Sequence, residues 1–256
     1  MTDDPTPLRK DARRIAGMFD AIAPRYDTLN RLLSAGFDRR WRARAIDALA
    51  LSGRETVVDL CTGTGDLALA AISQPGACAR RVVGVDFAGA MLSFGAAKLH
   101  KHPAGASVRL VRGDASKIPL ADASAEAVTI GFGIRNVDDT LEACREIHRI
   151  LRPGGRLAIL EFGMPSTAAV RGLYRWYFTR ALPRVGRLVS RHAEAYAYLP
   201  ASVKAFLSPS ALSALLAESG FEDVRAIPLS FGVVYLHLAT RRDGAESGDH
   251  RAAIIV

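Results

Sequence analysis

The sequence predicts an α/β fold built on a seven-stranded, mostly parallel sheet with an antiparallel last strand. Three observations carry this. Short runs rich in Val, Ile, Leu and Ala recur near 55–61, 81–86, 107–112, 126–132 and 156–162, each followed by a helical pattern or a loop. That is repeated βαβ with right-handed crossovers. The stretch Val57 to Asp66, VVDLCTGTGD, passes from a β-branched run through Gly63 and Gly65 into a helix start. Lastly, strands near 223–229 and 232–239 are joined by so short a link, through Phe231 and Gly232, that they must pair as an antiparallel hairpin.

The other elements follow in order. Polar residues 1–14 and 241–256 read as mobile tails around a single domain at 15–240. Residues 15–50 form a helical segment ahead of the first strand, in which Phe19, Ile22, Tyr26 and Leu29 share helical spacing. Pro153, Gly154 and Gly155 end a helix and turn the chain into the fifth strand. A helical insertion spans 165–206. Ser208 then caps a helix with Pro209 in its first turn, and Gly220 stops it.

Composition agrees. At 256 residues, 49% hydrophobic but only 7% aromatic, the chain suits a helix-covered parallel sheet with one sizeable core. It has no run of eighteen apolar residues, and the opening MTDDPTPLRKDARR has no apolar signal core, so a cytoplasmic protein is expected. Cys61, Cys78 and Cys144 are odd in number and suit neither zinc nor a disulfide framework. Against 26 Asp and Glu stand 34 Lys and Arg, a net charge of +8 that favours a negatively charged surface. Nucleic acid is disfavoured, since no recognition helix, zinc pattern or aromatic RNA-binding strand is visible.

The glycine turn marks a nucleotide-type cofactor site. Without a Cβ, Gly63 and Gly65 let the backbone turn sharply and approach a ligand at a helix N-terminus. About twenty residues on, RVVGVD ends in Asp86, whose carboxylate is placed to accept from both hydroxyls of an adenosine ribose. Gly63-x-Gly65-x-x-Ala68 also satisfies the dinucleotide fingerprint, so an NAD-dependent dehydrogenase stays open at this point. Asp59 inside the first strand and Asp66 in the first helical turn tilt the choice, because acids repel a pyrophosphate and welcome an amino group. S-adenosylmethionine, with its ammonium and sulfonium, suits the site better, and the seven-stranded sheet with its antiparallel last strand is the class I, Rossmann-like architecture of S-adenosylmethionine-dependent methyltransferases.

Four stretches together, MFDAIAPRYDTLNRLLSAGFDRRWR (18–42), VVDLCTGTGDLA (57–68), GFGIRNV (131–137) and LRPGGRLAILEF (151–162), resemble one family, and LPRVGRLVSRHAEAYAYLPASV (182–203) extends the likeness. The chain is similar to the quinone-biosynthesis C-methyltransferases that act on demethylmenaquinol and on the methoxy-benzoquinol precursor of ubiquinol. The resemblance implies cofactor contacts at Thr64, Asp86, Asp114 and Ala115, with Asp114 accepting from the adenine amine. A further family position, usually serine, is Gly131 here, so any contact there is through the backbone. A methyltransferase of the same fold acting on a soluble phenolic acceptor remains the alternative.

Such chemistry needs no metal. A quinol carbon becomes nucleophilic when its ring oxygen loses a proton, which ordinarily leaves near pH 10, so the site must stabilise the phenolate. Arg135 and Asn136, just past the fourth strand, are expected beside the ring, with Arg135 as electrostatic stabiliser. Tyr26 is the candidate hydrogen-bond partner of the ring oxygen or else a packing residue, and Asp27 either orients Tyr26 or Arg135 or faces solvent. His148 and His237 read as structural. In the insertion, Arg171, Arg175, Arg180, Arg184, Arg187 and Arg191 lie among aromatic and aliphatic residues, with Pro183 dividing two helical patterns. A basic face of that kind suits transient contact with an anionic membrane. The insertion and the 18–42 segment are expected to form a lid and tail groove over the sheet. A homodimer is left open.

Overall fold

A computed structural model describes residues 12–165, 167–176, 180 and 193–242. Helices α1 (Ala12–Ile22), α2 (Tyr26–Leu33) and α3 (Phe37–Ala48) precede the sheet. Then come β1 (Thr56–Leu60), α4 (Asp66–Ser73), β2 (Arg81–Asp86), α5 (Gly89–His100), β3 (Val108–Arg112), β4 (Ala125–Gly131), α6 (Thr140–Ile150) and β5 (Leu151–Phe162). Helices α7 (Ala168–Trp176), α8 (Ala193–Ala205) and α9 (Pro209–Glu218) and strands β6 (Phe221–Leu229) and β7 (Val234–Arg241) complete the described chain.

The seven strands run in the order β3-β2-β1-β4-β5-β7-β6, parallel through β5, with β7 antiparallel to both its neighbours. Alternation splits the core between two faces. Val57, Ala158 and Leu160 pack with Trp41 and Ile46 of α3 and Ala68 of α4, while Val58, Leu157 and Ile159 pack with Ile147 of α6 and Leu212 of α9. The Ser208 cap is present, its hydroxyl accepting from the Ala211 amide at 3.2 Å.

Boundaries differ from the sequence reading in three places. Helix α1 begins at Ala12, so residues 12–14 are helix rather than tail. The pattern joining Phe19 to Leu29 is interrupted by a 3-10 turn at Ala23–Arg25, because Pro24 cannot donate to a continuous helix. Strand β5 starts at Leu151, which pairs with Ala125, and the ladder resumes at Arg156 after an irregularity that takes up Pro153 to Gly155. Arg184, Arg187, Arg191 and Pro183 lie outside the described residues, as does the Arg175 side chain. Among the described residues no single helix is long and apolar enough to cross a membrane.

Candidate active site

The carboxyl ends of the parallel strands gather the site, as open α/β sheets require. Beyond β1, Cys61 (φ 52°), Gly63 (φ 56°) and Gly65 (φ 79°) take left-handed backbone, so the loop doubles back and α4 starts at Asp66. The Gly63 amide donates to Asp86 Oδ2 at 2.8 Å and the Ala88 amide to Oδ1 at 2.9 Å. The Phe87 amide is a third backbone donor to this carboxylate, and of its about four acceptor sites one is left open. Burial pushes the Asp86 carboxyl upward in pKa against these backbone bonds.

Gly63, Asp86, Gly131 and Asn136 line one narrow cleft with Phe19, Tyr26 and Met91. Its free volume is about 30 Å³, room for about one water. Phe19 and Tyr26 from the N-terminal segment and Met91 of α5 close this space down. Gly131 is tight as well as bare, since a Cβ there would come 3.2 Å from Leu67 Cδ2. At Gly133 a Cβ would sit 2.2 Å from Cys61 Cβ, so only glycine fits. Cys61 packs there, with burial pushing its thiol well above the usual range.

A second, larger cavity of about 660 Å³ opens beside the cleft, walled by Leu29, Trp41, Phe132, Phe162, Leu199 and Val233, among others. It lies within the range of small-molecule sites and is predominantly apolar. Phe19, Tyr26 and Phe132 line both spaces, so the two meet there. Arg135 faces the large cavity and its neighbour Asn136 the cleft, so the adjacent pair straddles the junction. The sequence placed both beside the ring. The short 3-10 turn Ile134–Asn136 instead points consecutive side chains apart.

Arg135 is buried, and its donors are mostly committed. Nη1 donates to Glu161 Oε1 at 2.9 Å and to the Phe132 carbonyl, and Nε to Ser202 Oγ at 3.3 Å. Among the described residues none accepts from Nη2. Asn136 Oδ1 accepts from the Tyr198 hydroxyl at 3.0 Å. The Tyr26 phenol bonds Asn30, and burial raises its pKa although Arg135 works to lower it.

Several sequence-singled residues have other employment. Asp59 does not line the cleft. It is 1% exposed and accepts from Thr62 Oγ1 at 2.5 Å and Thr129 Oγ1 at 2.7 Å, so it braces the loop before Gly63 instead of meeting a ligand. Burial raises its pKa to about 6. The Thr64 hydroxyl, expected at the methionine portion, donates to Asp27 and accepts from Lys98. Asp27 thus neither orients Arg135 nor sits idle. Asp66 is paired, not open to an amino group: Lys98 lies 2.6 Å from it and Arg42 3.0 Å. Burial works to raise the Asp66 carboxyl, but those two cations outweigh it and hold the pKa below its ordinary value.

Asp114 is exposed and caps its own turn, accepting from the Ser116 amide at 2.8 Å. The Gly113 amide donates to the Asp86 carbonyl at 3.0 Å, which brings Asp114 and the buried Ala115 to the β2 side of the cleft without making them part of its lining. His148 packs edge-on against Phe221, burial lowers His237 to about 4, and neither lines the cleft or the cavity. Glu161, Tyr198 and Ser202 were missed. Glu161 carried one visible signal, an acid directly after the apolar buried run Leu157 to Leu160.

With this geometry in hand, the comparisons with known proteins fall into place. A family model described as the ubiE/COQ5 methyltransferase family matches residues 8–241. A Thermus thermophilus protein named demethylmenaquinone methyltransferase is 48% identical over 88% of this chain and 100% of its own length. A Geobacter protein (strain M21) named ubiquinone/menaquinone biosynthesis C-methyltransferase UbiE is 42% identical over 91% of this chain and 99% of its own. Among solved structures, a SAM-dependent methyltransferase from Aquifex aeolicus aligns with TM-score 0.60 at 16% identity, over 84% of this chain and 97% of that one. A Thermotoga maritima protein described as a possible histamine N-methyltransferase gives TM-score 0.60 at 20% identity, over 88% and 99%. At such identities the structural likeness concerns the fold alone.

Proposed function

The chain belongs to the ubiE/COQ5 methyltransferase family, and from that premise we propose that it transfers a methyl group from S-adenosylmethionine to a ring carbon of a polyprenyl quinol. Demethylmenaquinol, the methoxy-benzoquinol precursor of ubiquinol, or both are the substrates. The observation that carries this reading is the adjacent pair Arg135 and Asn136, one facing an apolar cavity of about 660 Å³ and the other the narrow cleft at the strand ends that holds Asp86.

The cleft residues suit S-adenosylmethionine. Asp86 keeps an acceptor site for the ribose, the Gly63 turn lets backbone approach, and Asp114 and Ala115 stand on the adenine side. When bound, the cofactor supplies an already activated methyl group. The protein has to align the ring, favour its phenolate and exclude water. Arg135 Nη2 donates to the ring oxygen and stabilises the charge that delocalises onto the carbon. A guanidinium does not act as the base, since it is already protonated, but by lowering the phenol pKa it lets a water carry the proton away. Tyr26, at the junction of the two spaces, is within the wall that both ligands touch. The reduced ring is required, because a quinone has no phenolate to form.

The apolar cavity receives the start of the prenyl tail. A tailed substrate resides in a bilayer, and reversible contact with an anionic membrane follows. Phe231, 79% exposed, and Trp176, 55% exposed, line the cavity and support it. Charge reversal at Arg184 and Arg187 is expected to abolish flotation with anionic liposomes, and unchanged flotation removes that part of the reading.

The deciding experiment offers labelled S-adenosylmethionine with reduced demethylmenaquinone and the methoxy-benzoquinol side by side. Label in a ring carbon of either supports the proposal and names the ring. Binding of the cofactor with no label in either ring transfers the case to a soluble acceptor.

A further inference from the structure

Helix α8 touches both halves of the catalytic pair and the large cavity at once. Tyr198 and Leu199 line that cavity. The Tyr198 hydroxyl donates to Asn136 Oδ1 at 3.0 Å, and one turn on Ser202 Oγ accepts from Arg135 Nε at 3.3 Å. Ser202 in turn donates to the Leu199 carbonyl at 3.0 Å, so its oxygen is oriented by the same turn that presents Leu199 to the cavity. Pro200 lies inside the helix between these residues. Its missing N–H removes one rung and lets the helix bend where it meets the cavity.

On the other side Arg135 is fixed by Glu161, which accepts from its Nη1 at 2.9 Å and from its backbone amide at 3.3 Å. Glu161 also accepts from its own neighbour's amide, Phe162, at 2.8 Å, and so belongs to the rigid end of β5. Arg135 therefore has one anchor on the sheet and one on α8. Asn136 has its side-chain anchor on α8.

We infer that Tyr198 and Ser202 are positioning residues through which filling of the apolar cavity sets the orientation of Arg135 and Asn136. An apolar chain packed against Leu199 and the Tyr198 ring holds α8 in the place seen in the structure, where both hydrogen bonds are closed. Without such a chain, α8 is free to bend at Pro200 and open the two bonds. The tail of the substrate then acts on the methyl-transfer step itself and not only on affinity, as binding energy remote from the reacting atoms does when it is used for orientation. The inference rests on the quinol reading for the nature of the tail. The coupling itself does not depend on the ring.

Two measurements test it on the full chain. In the first, hydrogen exchange is followed at Ile134–Val137 with and without saturating farnesol, a tail with no ring, its binding read by tryptophan fluorescence. The Asn136 and Val137 amides are hydrogen-bonded to Gly133 and Ile134 and report on the turn. Farnesol is expected to slow exchange there in the wild type and to slow it less than half as much in Tyr198→Phe/Ser202→Ala. Equal slowing in both proteins, no slowing in the wild type, or no binding of farnesol overturns the inference. In the second, kcat and KM are compared for a prenylated and a tail-less quinol. The tail is expected to raise wild-type kcat about tenfold, and Tyr198→Phe to remove most of that gain while keeping the gain in KM. An equal loss of kcat on both substrates marks Tyr198 as merely structural. Absence of label in either ring with the wild type defeats the quinol reading and leaves the farnesol result to decide the coupling.

Discussion

Arg135 Nη1 lies 2.9 Å from Glu161 Oε1, with both side chains almost closed to solvent, and this buried ion pair fixes the guanidinium at the wall of the large cavity. A buried pair of this kind contributes little net stability, because desolvation offsets the attraction, yet leaving one partner alone costs about 3–5 kcal/mol. Arg135→Ala and Glu161→Ala are each expected to fall by that order in urea unfolding. Pairing Arg135→Met with Glu161→Leu should recover most of the stability. It should not recover activity, since the donor to the ring oxygen is gone, a loss of about a hundredfold or more in rate. Wild-type turnover by the double variant would remove Arg135 from the mechanism.

The N-terminal helices are tied to the glycine loop by charge. Lys98 bridges Asp27 at 2.7 Å and Asp66 at 2.6 Å and also donates to Thr64 Oγ1 at 3.1 Å, and Arg42 joins Asp38 to Asp66. The Lys98 pairs are partly exposed, so each is worth about 1 kcal/mol or less. Lys98→Met is therefore expected to shift melting only slightly while weakening S-adenosylmethionine binding about fivefold at low salt, as 1 kcal/mol implies. The difference should shrink as salt screens the wild-type network. Calorimetric titration at two ionic strengths checks this, and equal affinities at low salt would show that the network does not hold the cleft.

Those two networks also mark where sequence reading stopped. The βαβ series, the hairpin after Leu229 and the Ser208–Pro209 helix start were legible, because each rests on periodicity or local turn chemistry. Asp86 was legible as well, from its place at a strand end after a glycine turn. Asp66 looked open to a ligand because its partners, Arg42 and Lys98, come from α3 and α5 and meet it only when three helices pack. Arg135 and Asn136 were assigned together, and the 3-10 turn that directs their side chains to two spaces meeting between them is not visible in a pair of sequence neighbours. Tyr198 and Ser202 lie more than sixty positions from the pair they anchor. Nothing in their local pattern separates them from the rest of a mostly apolar helix.

Asp59 is the acid whose cost the fold bears most directly. In the unfolded chain it titrates near 3.8, and burial raises it to about 6 in the fold, against hydrogen bonds from Thr62, Thr129 and the Ala68 amide. Between those values the folded protein binds more protons than the unfolded one. Stability from this group is thus fully present below pH 3.8 and is lost as pH rises through 6. At neutral pH the charged carboxylate costs about 3 kcal/mol relative to its protonated form. Asp59→Asn is expected to raise the melting temperature at pH 8 by about 5 °C, and the gain should vanish at pH 4. The same substitution should weaken S-adenosylmethionine binding, because one carboxylate now braces Thr62 and Thr129 with two acceptor oxygens and an amide supplies only one. Melting curves across pH, with cofactor titration alongside, read both effects. A gain in stability that persists at pH 4 would place the origin in packing and not in the buried charge.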